Sequence, residues 1–247
     1  LSTRDQFIFN INFKIMIKAM ILSAGYGKRL LPLTSTLPKP LLKIGSETLL
    51  SNTIKFLEKF GIKQVVINVH YLGEKIVDYI NKSNFNLSVT IVEEKNKILN
   101  TGGGVLNAIN HFSNEAFLII NPDTIWNSDY IENLKSMEKF FFSNIKSKCL
   151  MLVVDRKKSF DKSFKGDFNL KKNLINRDDK MDLKFIYTGL QIVKPDIFFD
   201  IKDQVFSINK IWDELILNNE LQGIESNTDF LHVSTLNIYK NLLEKKF

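Results

Sequence analysis

Between residues 16 and 126 the apolar residues change period repeatedly, from recurrence on every second residue to recurrence every third or fourth. MIKAMILS (16–23) reads as a buried strand. From Ser46 a helical pattern follows, with Leu50, Ile54 and Leu57 on one face and Gly61 placed to end it. QVVINV (64–69) is a β-branched strand, and 73–81 carries Ile76, Val77 and Ile80 at helical spacing. Leu87, Val89 and Ile91 then alternate with Ser88 and Thr90, as in a strand. TGGGVLNAIN (101–110) is a glycine-rich turn entering a helix, and AFLII (116–120) is again a strand. Strands that alternate with helices predict an α/β fold, a Rossmann-like, mostly parallel mixed sheet flanked by helices.

The second half is less regular. CLMLVV (149–154) and FIYTGLQIV (185–193) read as strands, separated by a polar, lysine-rich stretch over 155–182. A helix is expected over 208–217, a last strand over 228–233, and Ser234 as the cap of a C-terminal helix. No repeat or low-complexity linker interrupts the pattern. One domain is therefore expected over 16–247, with a regular first half (16–126) and a less regular second half (127–247). Residues 1–15 precede the first strand and are expected to be an extension that adds little to the fold. Asn10, Asn12, Lys14 and Lys18 break any clean apolar leader or membrane span in this region.

Composition sets further bounds. Of 247 residues, 44% are hydrophobic and 25% charged, enough for a real core. The net charge of +7 invites a nucleic-acid partner, but the lysines are scattered and form no continuous stripe, so small anions are the expected partners, with no nucleic acid and no membrane. A single cysteine, Cys149, rules out an intrachain disulfide and suits a cytoplasmic location. It also sits in a strand-like run with nothing to activate it as a nucleophile. His70 and His111, near element ends, read as structural.

The loop after the first strand, LSAGYGKRLLPLTSTLPKP (22–40), is the strongest functional signal. A P-loop needs a Lys-Ser/Thr pair after its last glycine, and a dinucleotide fingerprint needs a third glycine where Leu30 stands; neither is present. What remains is a strand delivering Gly25-x-Gly27-x-Arg29, then Pro32-x-Thr34, then Pro38-Lys39-Pro40. Glycines let a backbone approach phosphate closely, Arg29 offers paired donors, and Lys39 is a point charge on a locally restricted chain.

That string resembles the signature of the sugar-phosphate nucleotidyltransferases, the NDP-sugar pyrophosphorylases. INVHYLGEKI (67–76), EKNKILNTGGGV (94–105) and NPDTIW (121–126) extend the resemblance, and FIYTGLQI (185–192) and FSINKIWDELI (206–216) extend it more weakly. It implies a GT-A-like nucleotide-diphospho-sugar transferase fold, with 16–126 as the nucleotide-binding half and 127–247 as the sugar-binding half, and two substrates, a nucleoside triphosphate and a sugar 1-phosphate. Within the family the chain is most similar to short bacterial enzymes of wall recycling, which implies UTP and N-acetylmuramic acid 1-phosphate. Glucose- or mannose-1-phosphate with another nucleotide, or an inactive nucleotide-sensing homologue, are the alternatives.

The same resemblance implies residue roles. Ser23, Ala24, Gly25, Gly27 and Lys28 would hold the triphosphate, Arg29 the departing pyrophosphate, and Lys39 the reacting phosphates. Glu94, or Glu93 if the loop shifts, together with Thr101, Gly102 and Gly103 would meet the base or ribose. Asn121, Thr188 and Gly189 would face the sugar, with Arg177 as a second cation for its phosphate. Asp123 would ligate Mg²⁺, which typically takes one or two carboxylates plus phosphates and water. Three positions depart from the family pattern: Pro122 and Ser234 stand where glycine is usual, and His232 stands where a second metal-binding Asp is common. Imidazole suits Mg²⁺ poorly. His232 is left as a phosphate or sugar contact, a ligand for a softer metal such as Mn²⁺, or a packing residue, and a single-Asp Mg²⁺ site is expected.

Overall fold

A computed structural model of the chain describes residues 16, 18–144, 146–178 and 182–245. The expected extension, 1–15, lies outside the described residues. The chain runs β1 (Lys18–Leu22), β2 (Lys43–Ile44), β3 (Glu47–Thr48), α1 (Leu49–Phe60), β4 (Gln64–Val69), α2 (Gly73–Lys82), β5 (Ser88–Glu93), α3 (Asn100–Ala108) and β6 (Phe117–Ile120). It continues with α4 (Tyr130–Ser143), β7 (Cys149–Asp155), β8 (Asn169–Lys171), β9 (Leu174–Asn176), β10 (Phe185–Val193), α5 (Asn209–Leu217), β11 (Leu221–Ser226) and α6 (Leu236–Glu244).

The main sheet has nine strands in the order β5-β4-β1-β6-β10-β7-β11-β9-β8. The first four are parallel, with Ala19 opposite both Val65 of β4 and Leu118 of β6. β10 is wedged antiparallel between β6 and β7, so the sheet is mixed, as expected. The period-two alternation of side chains sorts its residues onto two faces. Ala19, Ile21, Leu118, Ile120, Leu150 and Leu152 pack beneath α1 and α4, while Met20, Phe117, Ile119, Met151 and Val153 pack beneath α3 and α5. α1 illustrates the local logic: the Thr48 hydroxyl accepts from the Ser51 N–H at 2.9 Å, and Gly61, at φ 110°, closes the last turn. The short β2–β3 hairpin precedes α1 and takes up the start of the helical pattern expected from Ser46.

Four elements depart from the expectations. α4 fills a stretch for which no element was expected. The lysine-rich segment 155–182 contains the β8–β9 hairpin. The last strand of the main sheet in sequence is β11 rather than 228–233, because β11 runs parallel to β7 and is buried against it. Residues 228–233 instead make two isolated bridges, Phe230 to Ser159 and His232 to Thr124. Ser234 does not cap α6; the Thr235 hydroxyl does, by accepting from the Ile238 N–H. Among the described residues no helix is long and apolar enough to cross a membrane.

The order of the parallel strands positions the site. β1 leads through α1 to β4 on one side, while β5 leads through α3 to β6 on the other. The crevice beyond the carboxyl ends of β1 and β6 is thus a topological switch point, where open α/β sheets bind ligands.

The stacking of Phe117 on Phe112, both fully buried, anchors the face beneath α3. Phe117→Ala is expected to cost about 3–5 kcal/mol, read from urea unfolding; a loss below about 1 kcal/mol would show that this face is not close-packed.

Candidate active site

At the switch point lies a cleft of about 380 Å³. Its walls include Ser23–Gly25 and Gly27–Leu30 from the loop after β1, Lys39 and Pro40, Asn68, Ile98, Asn100 and Thr101, Asn121–Asp123, and Ser234.

The loop after β1 is built as a rigid support. Gly27 has φ 65°, and a Cβ there would come within 3.0–3.2 Å of Thr34 and Lys39, so a side chain would be both strained and crowded. The Gly27 carbonyl accepts from the Thr34 hydroxyl at 2.9 Å and from the Leu30 N–H. The Tyr71 hydroxyl donates to the Thr34 carbonyl at 2.9 Å, and Lys75 donates to the Thr36 carbonyl at 2.6 Å. These pins hold a run of short 3₁₀ turns that delivers Lys39 into the cleft. The Ser23 N–H donates to Asn68, while the Ser23 hydroxyl is buried without a protein partner. The Lys28 ammonium lies 5.2 Å from the Tyr26 ring centroid. Arg29 is exposed on the cleft wall and has no partner among the described residues.

Asp123 stands three residues beyond β6, at the meeting point of three segments. Lys39 Nζ donates to its Oδ2 at 2.5 Å, and His232 Nε2 lies 3.1 Å from the same oxygen. The other carboxylate oxygen, Oδ1, is buried with no partner, as is His232 Nδ1. Burial pushes the Asp123 carboxyl up, but Lys39 and His232 outweigh it and hold the group well below the usual carboxylate range. The imidazole stacks on Phe230, 5.5 Å between centroids, and its segment is tied to the site where the Val233 N–H donates to the Asp123 carbonyl. Behind it the Ser234 hydroxyl donates to buried Asp161 at 2.5 Å.

Of the residues singled out from sequence, Ser23, Ala24, Gly25, Gly27, Lys28, Arg29, Lys39, Thr101, Asn121 and Asp123 come together around this cleft. Others do not. Glu94 is buried beneath the loop that follows β5, accepting from Asn68 Nδ2 and from the Leu99 N–H, both at 2.7 Å. The Gly102 and Gly103 N–H groups donate to the Phe206 carbonyl, and Cβ atoms on these glycines would strike the Phe206 ring and the Gln204 carbonyl. In this structure they serve close packing against the second half, not an open base-reading edge. The Thr188 hydroxyl donates to the Leu152 carbonyl inside the sheet. Gly189, at φ 91°, makes room for Asn121, whose N–H donates to its carbonyl at 2.8 Å. Arg177 is paired with Asp213 and Asn209 over the Phe168 ring, outside the residues that line the cleft.

Asn68, Asn100 and Asp161 were not singled out. An asparagine inside the β-branched run QVVINV was a legible cue, since a buried amide needs partners. The left-handed backbone of Asn100, φ 66°, and the reach of Asp161 to Ser234 leave no local trace.

The glycines of the site separate by their surroundings. Gly103→Ala drives a methyl against a backbone oxygen and is expected to cost about 1–3 kcal/mol in urea unfolding. Gly25→Ala meets nothing within 4 Å and is expected to stay within about 0.5 kcal/mol of the parent. Equal stabilities would dismiss the packing role of Gly103.

Comparison with known proteins identifies the family. The nucleotidyl transferase family model matches residues 18–160. An N-acetylmuramate α-1-phosphate uridylyltransferase of Caulobacter vibrioides is 26% identical over 220 residues, covering 87% of this chain and 90% of that one. A D-glycero-α-D-manno-heptose 1-phosphate guanylyltransferase of Campylobacter jejuni is 28% identical over 201 residues, 80% of this chain and 86% of that one. The chain spans about half of the bifunctional GlmU proteins it matches, 49% of the one from Methanococcus aeolicus. In fold it is similar to HddC from Yersinia pseudotuberculosis, with a TM-score of 0.71 and 24% identity over 93% of this chain and 99% of that one. Because the family model runs through the glycine loop, the Lys39 turn and Asp123 alike, the chain belongs to the nucleotidyl transferase family, as an enzyme of the sugar-1-phosphate nucleotidyltransferase type.

Proposed function

We propose that this enzyme transfers the uridylyl group of UTP to N-acetylmuramic acid 1-phosphate, releasing pyrophosphate, as a cytoplasmic step of wall recycling. The observation that carries the phosphate chemistry is the cleft itself: Lys28, Arg29 and Lys39 line it together with a single carboxylate, Asp123, which Lys39 holds, at the carboxyl edge of the sheet. Two relatives carry the sugar assignment. One is the Caulobacter uridylyltransferase; the other, of the same name from Neisseria meningitidis, is 35% identical over 115 residues. The coverage of the Campylobacter guanylyltransferase favours a second reading, a heptose 1-phosphate with GTP.

In the proposed reaction an oxygen of the sugar phosphate attacks the α-phosphorus and the bond to pyrophosphate breaks. Both reactants are anions, so holding them in line and neutralising charge supply most of the rate. The Ser23–Gly27 backbone seats the triphosphate, Arg29 takes up charge on the leaving pyrophosphate, and Lys39 addresses the reacting phosphates. Asn121, fixed through its backbone to Gly189, faces the acceptor.

The residues present fit a magnesium ion as a one-carboxylate site, because Asp123 Oδ1 is buried and has no protein partner. Among the described residues no cluster of three or more acidic, His or Cys groups completes a metal cage, so phosphate oxygens and water would provide the remaining ligands. Bound there, Mg²⁺ would neutralise charge on the phosphates. His232 would hold Asp123 rather than the ion.

The test is pyrophosphate release from a panel of nucleoside triphosphates and sugar 1-phosphates with Mg²⁺. UTP with N-acetylmuramic acid 1-phosphate is expected to turn over fastest; a faster GTP–heptose pair would favour the second reading, and no turnover with any pair would overturn both. Asp123→Asn and Lys39→Ala are each expected to lower kcat by about 10²-fold or more, and a near-parental rate in either would remove that residue from the mechanism.

A further inference from the structure

Lys39 and Asp123 form more than a pair of independent site residues. The ammonium lies 2.5 Å from Oδ2, and the two side chains are only 14% and 19% exposed. The lysine stem is packed at the Gly27 turn, where a Cβ on the glycine would come within 3.2 Å of Lys39 Cβ. The stem is therefore packed at its base beside that turn, while Nζ at its far end lies on the carboxylate.

Charge decides what can displace it. The charged residues lining the cleft are Lys28, Arg29, Lys39 and Asp123, three cations to one anion. A free divalent ion approaching Asp123 meets this excess of positive charge, with an ammonium already on one carboxylate oxygen. A triphosphate carries more negative charge than one divalent ion neutralises. It therefore offers Lys39 a second anion to turn towards, and it brings oxygen ligands of its own.

We propose that Lys39 is a resident counter-ion that keeps divalent cations off Asp123 until a nucleoside triphosphate enters, so that the cation is taken up only together with nucleotide. This rests on reading the cleft as the nucleotide site and Asp123 as the cation ligand. It adds an order of binding, set by one side chain that serves two anions in turn. Oδ1 is the vacant oxygen of Asp123, and His232 and Lys39 share Oδ2, so releasing Lys39 leaves the carboxylate held by the imidazole.

The experiment measures Mn²⁺ binding to the full chain by the loss of the free-ion EPR signal, with and without a non-hydrolysable UTP analogue. The parent protein alone is expected to bind Mn²⁺ at Asp123 only weakly, and to bind one ion per chain once the analogue is present. Lys39→Met is expected to bind Mn²⁺ without nucleotide about tenfold or more tightly than the parent, since a unit positive charge within ~4 Å has been removed. Lys39→Arg, which keeps the charge, is expected to behave as the parent, and adding Asp123→Asn to Lys39→Met is expected to abolish the gain. If Lys39→Met does not fold, as judged by its thermal melt, Lys39→Gln takes its place. The proposal is overturned if the parent binds Mn²⁺ alone as tightly as the uncharged variant, if that variant gains nothing, or if its gain survives loss of Asp123. Calorimetry of the analogue in EDTA separates the two levels. No nucleotide binding removes the reading of the cleft and the proposal with it, whereas nucleotide binding beside nucleotide-independent Mn²⁺ uptake removes only the counter-ion role.

Discussion

The contact between Lys39 and Asp123 joins residues 84 apart in sequence, and much of the architecture around the cleft makes that contact possible. A carboxylate in so enclosed a place is costly unless a cation stands beside it. β1 and β6 lie parallel and in register, with Ile21 opposite Ile120, so the loops that follow them leave the sheet at the same edge. The turns between Lys28 and Leu41, pinned by Tyr71 and Lys75 from the neighbouring β4–α2 region, then return Lys39 to that edge. The second half adds His232 through the backbone bridge at Thr124. Three distant segments thus share one carboxylate oxygen.

A second set of contacts binds the two halves across α3. Gly102 and Gly103 admit Phe206 and Gln204 from the segment before α5, and the Thr101 hydroxyl accepts from the Ile208 N–H at 2.9 Å. Gly104 makes room for Asn68 and Glu94. The glycine run is therefore the surface against which the polar network Ser23–Asn68–Glu94–Leu99 and the second half are packed. A movement of the 204–208 segment would be felt at the N-terminus of α3, and so at Asn100 and Thr101 on the cleft wall.

Legibility followed how local each signal was. The strands and helices between 18 and 120 could be read because each one is amphipathic or fully buried over its own length. α4 carries the same kind of signal, with Tyr130, Leu134, Met137 and Phe141 buried on one stripe, yet its aromatic C-terminal end blurs the polar face. β11, LQGIES, has few apolar residues and is a strand because β7 and β9 flank it on either side. In the site, the glycine loop, Lys39 and Asp123 were readable as a string. Glu94 was expected at the nucleotide because the segment 94–105 resembles the family's base loop, and its partners, Asn68 and Leu99, became visible only after folding.

By itself the sequence determined the α/β class, the glycine turn with its cations, and the strand-end aspartate, because each is encoded within a few consecutive residues. The tertiary structure alone decided that Lys39 and His232 meet on one oxygen of Asp123, that the other oxygen is left without a partner, and that the Gly102–Gly103 N–H groups are taken by Phe206. These are pairings between segments far apart in the chain. Sheet order, loop pinning and packing set them together, and no local stretch of residues carries that information.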